Sequence, residues 1–338
     1  MPSPSQPLVD TFGRQIHNVR VSVTDRCNFR CTYCMPEEGL DWLDKGDILS
    51  YEEIAEIVRI LTGLGVEKVR ITGGEPLVRK DLHVLVGKLH GIAGLRDLSL
   101  TTNGVLLAQQ APALAAAGLR RVNVSLDSLT RETFQRIARR DALEAVLAGL
   151  EAAGRHFPGP VKVNAVLLRG VNDHEIPAFV DLTRRHGLEV RFIEFMPLDA
   201  DATWSRDLLV PGSEALRRIA ALHELAPDPD ASPSAPSRDF VFVDGAPGKV
   251  GFIDSVSQPF CDQCNRIRIT ADGKLRTCLF SVEETDLMAI LRGGSSREER
   301  AREIARVVRA AVWKKEPGHR IGQADFVRAN RSMSQIGG

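Results

Sequence analysis

Six short β-type runs recur between longer helical patterns over the first two-thirds of the chain, and this alternation restricts the fold more than any other feature. The runs are VRVSVT (19–24), KVRIT (68–72), LSLTT (98–102), RVNVSL (121–126), KVNAVLL (162–168) and EVRFIEF (189–195). Between them apolar residues fall at helical spacing, as in Ile54, Ile57, Val58 and Leu61 or Phe179, Val180 and Leu182, and glycine often closes the segment. Such a pattern implies parallel βα units, in either an open doubly wound sheet or a barrel-like one. Both architectures collect ligands at the C-terminal edge of the strands. The loops DRCNFRC, GGEP, NG, DS and MPL, which directly follow strands, should therefore share one mouth.

The 338 residues suffice for a large domain with an appendage or for two ordinary domains. Forty-four basic residues balance forty-four acidic ones, so no global field draws the chain to nucleic acid or to an anionic membrane. No apolar run reaches membrane-spanning length, and MPSPSQPLVD lacks the positive start and apolar stretch of a signal peptide. A cytoplasmic protein is expected, with no nucleic acid and no membrane as partner. In that reducing compartment cysteines serve as ligands or catalysts more often than as disulfides. The six present form two triplets, Cys27, Cys31, Cys34 and Cys261, Cys264, Cys278, with none between Cys34 and Cys261.

After about residue 225 the alternation breaks at APDPDASPSAPS, a Pro/Ser/Asp-rich stretch unsuited to helix or central strand. The expected organisation is a first domain over 1–225, its first eleven residues a flexible tail, then a mobile surface loop over 226–240. A β-rich domain over 241–338 would follow, carrying the second triplet and ending in SQIGG. The amphipathic REERAREIARVVRAAVWKK reads as a helix with one solvated face.

Four cysteines complete a structural zinc site or a closed iron–sulfur cluster; three leave a position open. At CxxxCxxC spacing, three thiolates can hold three irons of a [4Fe-4S] cube and leave the fourth iron for an outside ligand. Zinc with a histidine is the competing reading for the first triplet, but His17 lies upstream beyond a strand and no histidine follows at finger spacing. For the second triplet a zinc knuckle borrowing Asp262 stays open on spacing alone.

CNFRCTYC, with an aromatic beside the third cysteine, resembles the defining motif of radical S-adenosylmethionine (SAM) enzymes, and TGGEP (72–76) resembles their glycine-rich SAM contact. The series RVSVTDRCNFRCTYC, VRITGGEPLVRKDL, LTTNG, VNVSLDS, VNDHEI, RFIEFMPL, FCDQCNRIRIT and the terminal GG, in that order over residues 12 to 338, is similar to the GTP 3′,8-cyclase family of molybdenum cofactor biosynthesis. That resemblance implies a partial (β/α)6 TIM-like barrel and a C-terminal β-containing domain with a second Fe–S cluster. It implies two [4Fe-4S] clusters and SAM as cofactors, the first cluster on Cys27, Cys31 and Cys34, the second on Cys261, Cys264 and Cys278 with its open iron at the guanine of GTP.

Carried over residue by residue, Tyr33, Gly74, Ser125 and Met196 match SAM-binding positions. Arg20, Arg70, Thr101, Lys162, Arg266 and Arg268 match GTP-binding positions, and Gly337 and Gly338 form a tail that enters the active site. The residues themselves support part of this. Arg20, Arg70 and Lys162 lie inside strands, where a charged side chain must face a polar cavity or lose hydration. In an extended RIR, Arg266 and Arg268 face one side. Lys162 begins its strand, away from the mouth.

The implied reaction takes the 3′ hydrogen of GTP with an adenosyl radical, after which C3′ attacks C8 of the guanine. The product is (8S)-3′,8-cyclo-7,8-dihydroguanosine 5′-triphosphate. The resemblance also suggests a homodimer, an electron donor, and a downstream cyclic pyranopterin monophosphate synthase. Another radical SAM enzyme with one auxiliary cluster, such as a peptide-modifying maturase, and a zinc-stabilised scaffold are the competing readings.

Overall fold

The computed structural model describes residues 7–232 and 234–337. All six expected strands form: β1 (Asn18–Ser22), β2 (Lys68–Thr72), β3 (Asp97–Thr102), β4 (Arg121–Ser125), β5 (Lys162–Leu167) and β6 (Glu189–Glu194). Helices α1 (Tyr51–Gly63), α2 (Leu82–His90), α3 (Leu107–Ala116), the pair α4 (Arg131–Ala138) and α5 (Leu143–His156), and α6 (Ile176–His186) connect them. Each strand pairs parallel to the next. Helix α1 starts on a capping box, with Ser50 and Glu53 exchanging side-chain and backbone bonds. Its buried residues Ile54, Ile57, Val58 and Leu61 are those the spacing marks.

The helix α7 (Gly212–Ala220) leads into β7 (Leu225–Pro227), β8 (Arg238–Phe242), β9 (Lys249–Ile253), β10 (Arg266–Ile269), β11 (Lys274–Arg276) and β12 (Thr285–Asp286). Then come α8 (Leu287–Arg292), α9 (Arg297–Trp313) and the short α10 (Met333–Ile336). All twelve strands join one sheet in the order β12-β11-β10-β1-β2-β3-β4-β5-β6-β9-β8-β7. Strand β9 lies parallel to β6, and β10 parallel to β1. The C-terminal region thus adds a parallel strand to each edge of the six, and antiparallel strands follow outside them. No break in the sheet occurs near residue 225, because edge strands with free backbone groups are completed by the C-terminal chain.

The Pro/Ser/Asp-rich stretch differs from the surface loop expected over 226–240. Strands β7 and β8 take both of its ends, Asp228 and Ser237 are buried, and Pro236 reaches the barrel interior. Its composition excludes helix but does not show that the N-terminal end of the barrel needs a cover. Lys249 holds it from β9 by an ion pair with Asp228 at 2.5 Å.

Apolar residues of the strands, such as Val19, Ile71, Leu100, Val124, Val163 and Phe192, face the helices in a continuous core. The inward positions are polar: Arg20, Arg70, Thr101, Asn123, Asn164 and Arg191 line one cavity of about 230 Å³. A closed eight-stranded barrel fills its axis with branched apolar side chains; this one keeps a chamber.

Candidate active site

The first triplet lies in the loop after β1. The loop docks on α4 through Arg30 N–H to Ala138 O and Thr32 N–H to Ile137 O, at 3.1 and 3.0 Å. All three cysteines line one pocket with Gly73, Gly74 and Glu75. A Cβ at Gly74 would collide with the carbonyl oxygens of Asp25 and Arg26, so only glycine permits the GGEP loop to approach the cysteine loop this closely. Glu75 is buried and accepts from Thr102 Oγ1 at 2.7 Å, Asn103 N at 2.6 Å and Leu77 N at 3.0 Å. It ties GGEP to the loop after β3, and burial pushes its carboxyl up to about 7.

Tyr33 and Ser125 line this pocket and also open into the chamber. The Tyr33 hydroxyl donates to Asp127 Oδ2 at 2.6 Å, while Asp127 Oδ1 accepts from Val166 N at 2.8 Å. Thr101 likewise faces both spaces. Met196 lines only the chamber, apart from the other SAM-matching positions, and packs with Leu198, Phe280 and Ile336.

The second triplet lies where β9 and β10 leave the sheet unclosed, and Cys261, Cys264 and Cys278 line the chamber. Glu194, at the end of β6, fixes the approach to it by accepting from Val256 N at 2.7 Å and Ser257 N at 2.8 Å. Among the described residues no three His, Cys, Asp or Glu side chains draw together as a single ion requires. An iron–sulfur cube asks for less, since each thiolate meets its own iron.

Both triplets fit such a group. All six cysteines are free and half-buried, three to a cavity. Burial and the nearby Glu75 push the Cys27 thiol up to about 12, and burial holds Cys34 at about 11, so a cation must share the pocket for them to ionise. Burial also raises Cys261 and Cys278. Burial works against Cys264 as well, yet Lys315 and Arg266 hold it below its ordinary value.

Between the triplets stands the most telling charge arrangement. Arg268, Arg20 and Arg70 are direct register partners across β10, β1 and β2. Like charges so placed repel. Burial, then Arg266 and Arg191, push Arg70 down to about 9; burial, then Arg266, do the same to Arg268; Arg20 is lowered by burial, Arg268, Arg266 and Arg70. Among the described residues Arg70 Nε reaches Ser99 Oγ, at 3.4 Å, and Arg268 donates to the carbonyl of Gly337. The Nε atoms of Arg20 and Arg191, Thr101 Oγ1, both amide atoms of Asn123 and Asn164 Oδ1 are buried without a hydrogen-bond partner among the described residues. Orphaned polar groups in this number belong to a ligand site.

Arg266 and Arg268 both enter the chamber, with Ile267 and Ile269 in the core behind them. Arg266 also lies over Phe260, 5.5 Å from the ring centre. Lys162 does not reach the chamber; it lines a second cavity at the barrel's N-terminal end and pairs with Glu189. Arg20, Arg70, Arg191 and Arg266 border both spaces. Helix α10 brings Met333 to both the chamber and the first pocket, and Gly337 takes a left-handed φ of 84°. A Cβ there would strike Ser22 and Thr72. Gly338 lies outside the described residues.

Arg191, Asn123 and Asn164 are absent from the sequence-derived list, although the signal that marks Arg20 also marks them. Each is a polar residue at alternate spacing inside an apolar strand. Asp127 and Glu75 give no such signal, because their partners come from other loops.

The radical SAM superfamily model matches residues 21–183, and the model described as Molybdenum Cofactor Synthesis C matches 188–321. The GTP 3′,8-cyclase of Streptomyces coelicolor is 49% identical over 333 residues, 98% of this chain and 96% of that protein. That of Paenarthrobacter nicotinovorans is 47% identical over 347 residues, 98% and 97% of the two chains. Among solved structures, SuiB of Streptococcus suis shares the fold with a TM-score of 0.59 at 13% identity, over 84% of this chain and 64% of that one. With both domains matched in order and near half of the residues identical over almost its whole length, the chain belongs to the GTP 3′,8-cyclase family, radical SAM enzymes of molybdenum cofactor biosynthesis that use two [4Fe-4S] clusters and SAM.

Proposed function

We propose that Cys27, Cys31 and Cys34 hold the cluster that receives SAM, that Cys261, Cys264 and Cys278 hold the cluster facing guanine, and that GTP lies in the chamber between them. The row Arg268–Arg20–Arg70 carries this reading: three adjacent cations line the chamber or its edge with no carboxylate ion pair among the described residues, and such a row calls for a polyanion. When bound, cluster and SAM supply a 5′-deoxyadenosyl radical. Tyr33, Gly74 and Ser125 line the pocket that would orient SAM, with Met196 on the chamber side.

Arg20, Arg70, Arg266 and Arg268 neutralise the phosphates, and Thr101 adds a hydroxyl beside them. Lys162 acts from the barrel floor, within the field of Arg191, Arg121 and Arg70. The chamber walls and α10 exclude water while C3′ of the ribose gives up its hydrogen and bonds to C8. One electron and one proton then complete (8S)-3′,8-cyclo-7,8-dihydroguanosine 5′-triphosphate. Gly337 seats against Ser22 and Thr72, where a side chain would not fit, and the terminal diglycine serves the cyclisation.

No helix among the described residues is long and apolar enough to cross a membrane. The protein acts in the cytoplasm as a homodimer, takes electrons from an external donor, and passes its unstable product to cyclic pyranopterin monophosphate synthase. Anaerobic incubation with SAM, a reductant and each of the four nucleoside triphosphates tests the reading. Modified nucleotide and 5′-deoxyadenosine are expected with GTP; an iron-rich protein that cleaves SAM and leaves GTP unchanged contradicts it.

A further inference from the structure

Two buried cations surround the second triplet and take no part in the reading above. Lys315, just beyond α9, is 2% exposed. Its Nζ donates to the carbonyl of Arg266, at 3.2 Å, and to that of Thr277. These carbonyls lie two residues after Cys264 and one before Cys278. Arg14, bound to Asp10 at 2.6 Å, donates to the carbonyls of Cys261 at 2.7 Å, Pro317 at 2.8 Å and Glu316 at 2.6 Å. The Glu316 carboxylate accepts from Thr277 Oγ1 at 2.9 Å and Ser281 Oγ at 2.6 Å. Gly318 abuts Cys261, where a Cβ would stand 3.1 Å from Sγ. Residues 315–318 and Arg14 therefore buckle together the chain on either side of all three cysteines.

The two cations differ in one respect. Arg14 has Asp10. Lys315 has no ion-paired carboxylate; the paired lysines among the described residues are Lys88, Lys162, Lys249 and Lys274. A buried ammonium with carbonyls alone for company is costly unless an anion shares its site. Three thiolates on a cube provide one: the assembly carries a net negative charge, which grows by one on reduction.

We propose that Lys315 is the positioning residue and counter-cation of the second cluster, joining the chain after Cys264 to the chain before Cys278 and supplying the positive charge that offsets the three thiolates. The inference rests on the reading that Cys261, Cys264 and Cys278 hold an open cube. Its consequence is a cluster kept longer and reduced more easily than the same three cysteines would otherwise allow.

The test uses the anaerobic holoenzyme and the variants Lys315→Met, Lys315→Gln and Lys315→Arg. Iron content, resistance to a chelator and the EPR-monitored potential of the second cluster are read, with SAM added to identify the first cluster by its change. Met and Gln variants should both lose the second cluster about tenfold faster, or hold it at a more negative potential, and Arg should restore both properties toward wild type. Gln keeps an N–H donor on a side chain one bond shorter and lacks the charge, and Arg keeps the charge. A Gln variant equal to wild type, or an Arg variant no better than Met, overturns the proposal, including the case in which no variant folds. Wild-type protein with about four irons instead of eight sinks the two-cluster reading itself and is distinguishable from either result.

Discussion

Burial and the Glu75 and Asp127 carboxyls raise the thiols of Cys27 and Cys31, with Arg30 opposing them at Cys27, whereas Lys315, Arg266 and Arg14 draw Cys264 toward thiolate. The two triplets have the same count of ligands, but burial is reinforced by carboxyls around the first and opposed by Lys315 at all three thiols of the second. An iron–sulfur cluster becomes a stronger reductant in an anionic pocket and a weaker one among cations. Under the assignment proposed above, the first site would then suit cleavage of a sulfonium, and the second would suit holding a nucleotide that brings its own negative charge. In that proposal one ligand pattern serves two tasks because the neighbouring residues differ.

The largest expected effect separates the sites outright. Cys31→Ala should abolish 5′-deoxyadenosine and cyclised nucleotide together. Cys264→Ala should leave SAM cleavage measurable by chromatography and eliminate only cyclisation; equal loss of both activities in the two variants would erase the division of labour.

Next in size is the tail. Gly337→Ala drives a Cβ into Ser22 and Thr72 at the ends of β1 and β2, and deletion of Gly337 with Gly338 removes the contact to Arg268. Both changes should eliminate cyclisation while iron content stays at the wild-type level. Full activity in the truncated protein would show that the tail is only a frayed end.

Arg20→Ala should weaken GTP binding by about 10–100-fold, the usual scale for a charge-assisted hydrogen bond. Calorimetry of the anaerobic protein measures it, and SAM affinity should hold constant. A matched loss for SAM would place Arg20 on the other side of the comparison.

The smallest effect is on stability. With its carboxyl pushed up to about 7 by burial, Glu75 retains a proton in the folded protein that the unfolded chain releases near the ordinary 4.5. Its contribution is complete below the ordinary value and is lost as pH rises through about 7, by up to about 3 kcal/mol. Thermal unfolding of the holoenzyme across that range should show a shallower decline in Glu75→Gln than in wild type. Parallel profiles would mean that the hydrogen bonds from Thr102 and Asn103, not the proton, set its behaviour.

Much of this architecture is legible in the chain. Apolar alternation marks β1 to β6 within two residues, because each strand buries one face against helices and turns the other inward. The positions of Arg20 and Arg70 follow from the same alternation. The completion of the sheet by β9 and β10 does not, since nothing local distinguishes a strand that joins a barrel edge from one that builds a separate domain. Nor does the burial of Asp228 and Ser237, whose surroundings read as a surface loop. Lys315 and Arg14 escape notice for a different reason: their partners beside the cysteines are backbone carbonyls, which every residue possesses and no motif records.

Mössbauer spectroscopy of the reconstituted protein, with SAM and GTP added separately, tests the central claim most directly. The account predicts two clusters, SAM changing one iron of the first and GTP one iron of the second, each without disturbing the other. A single cluster, or two whose irons all keep their signatures when the ligands are added, would contradict it.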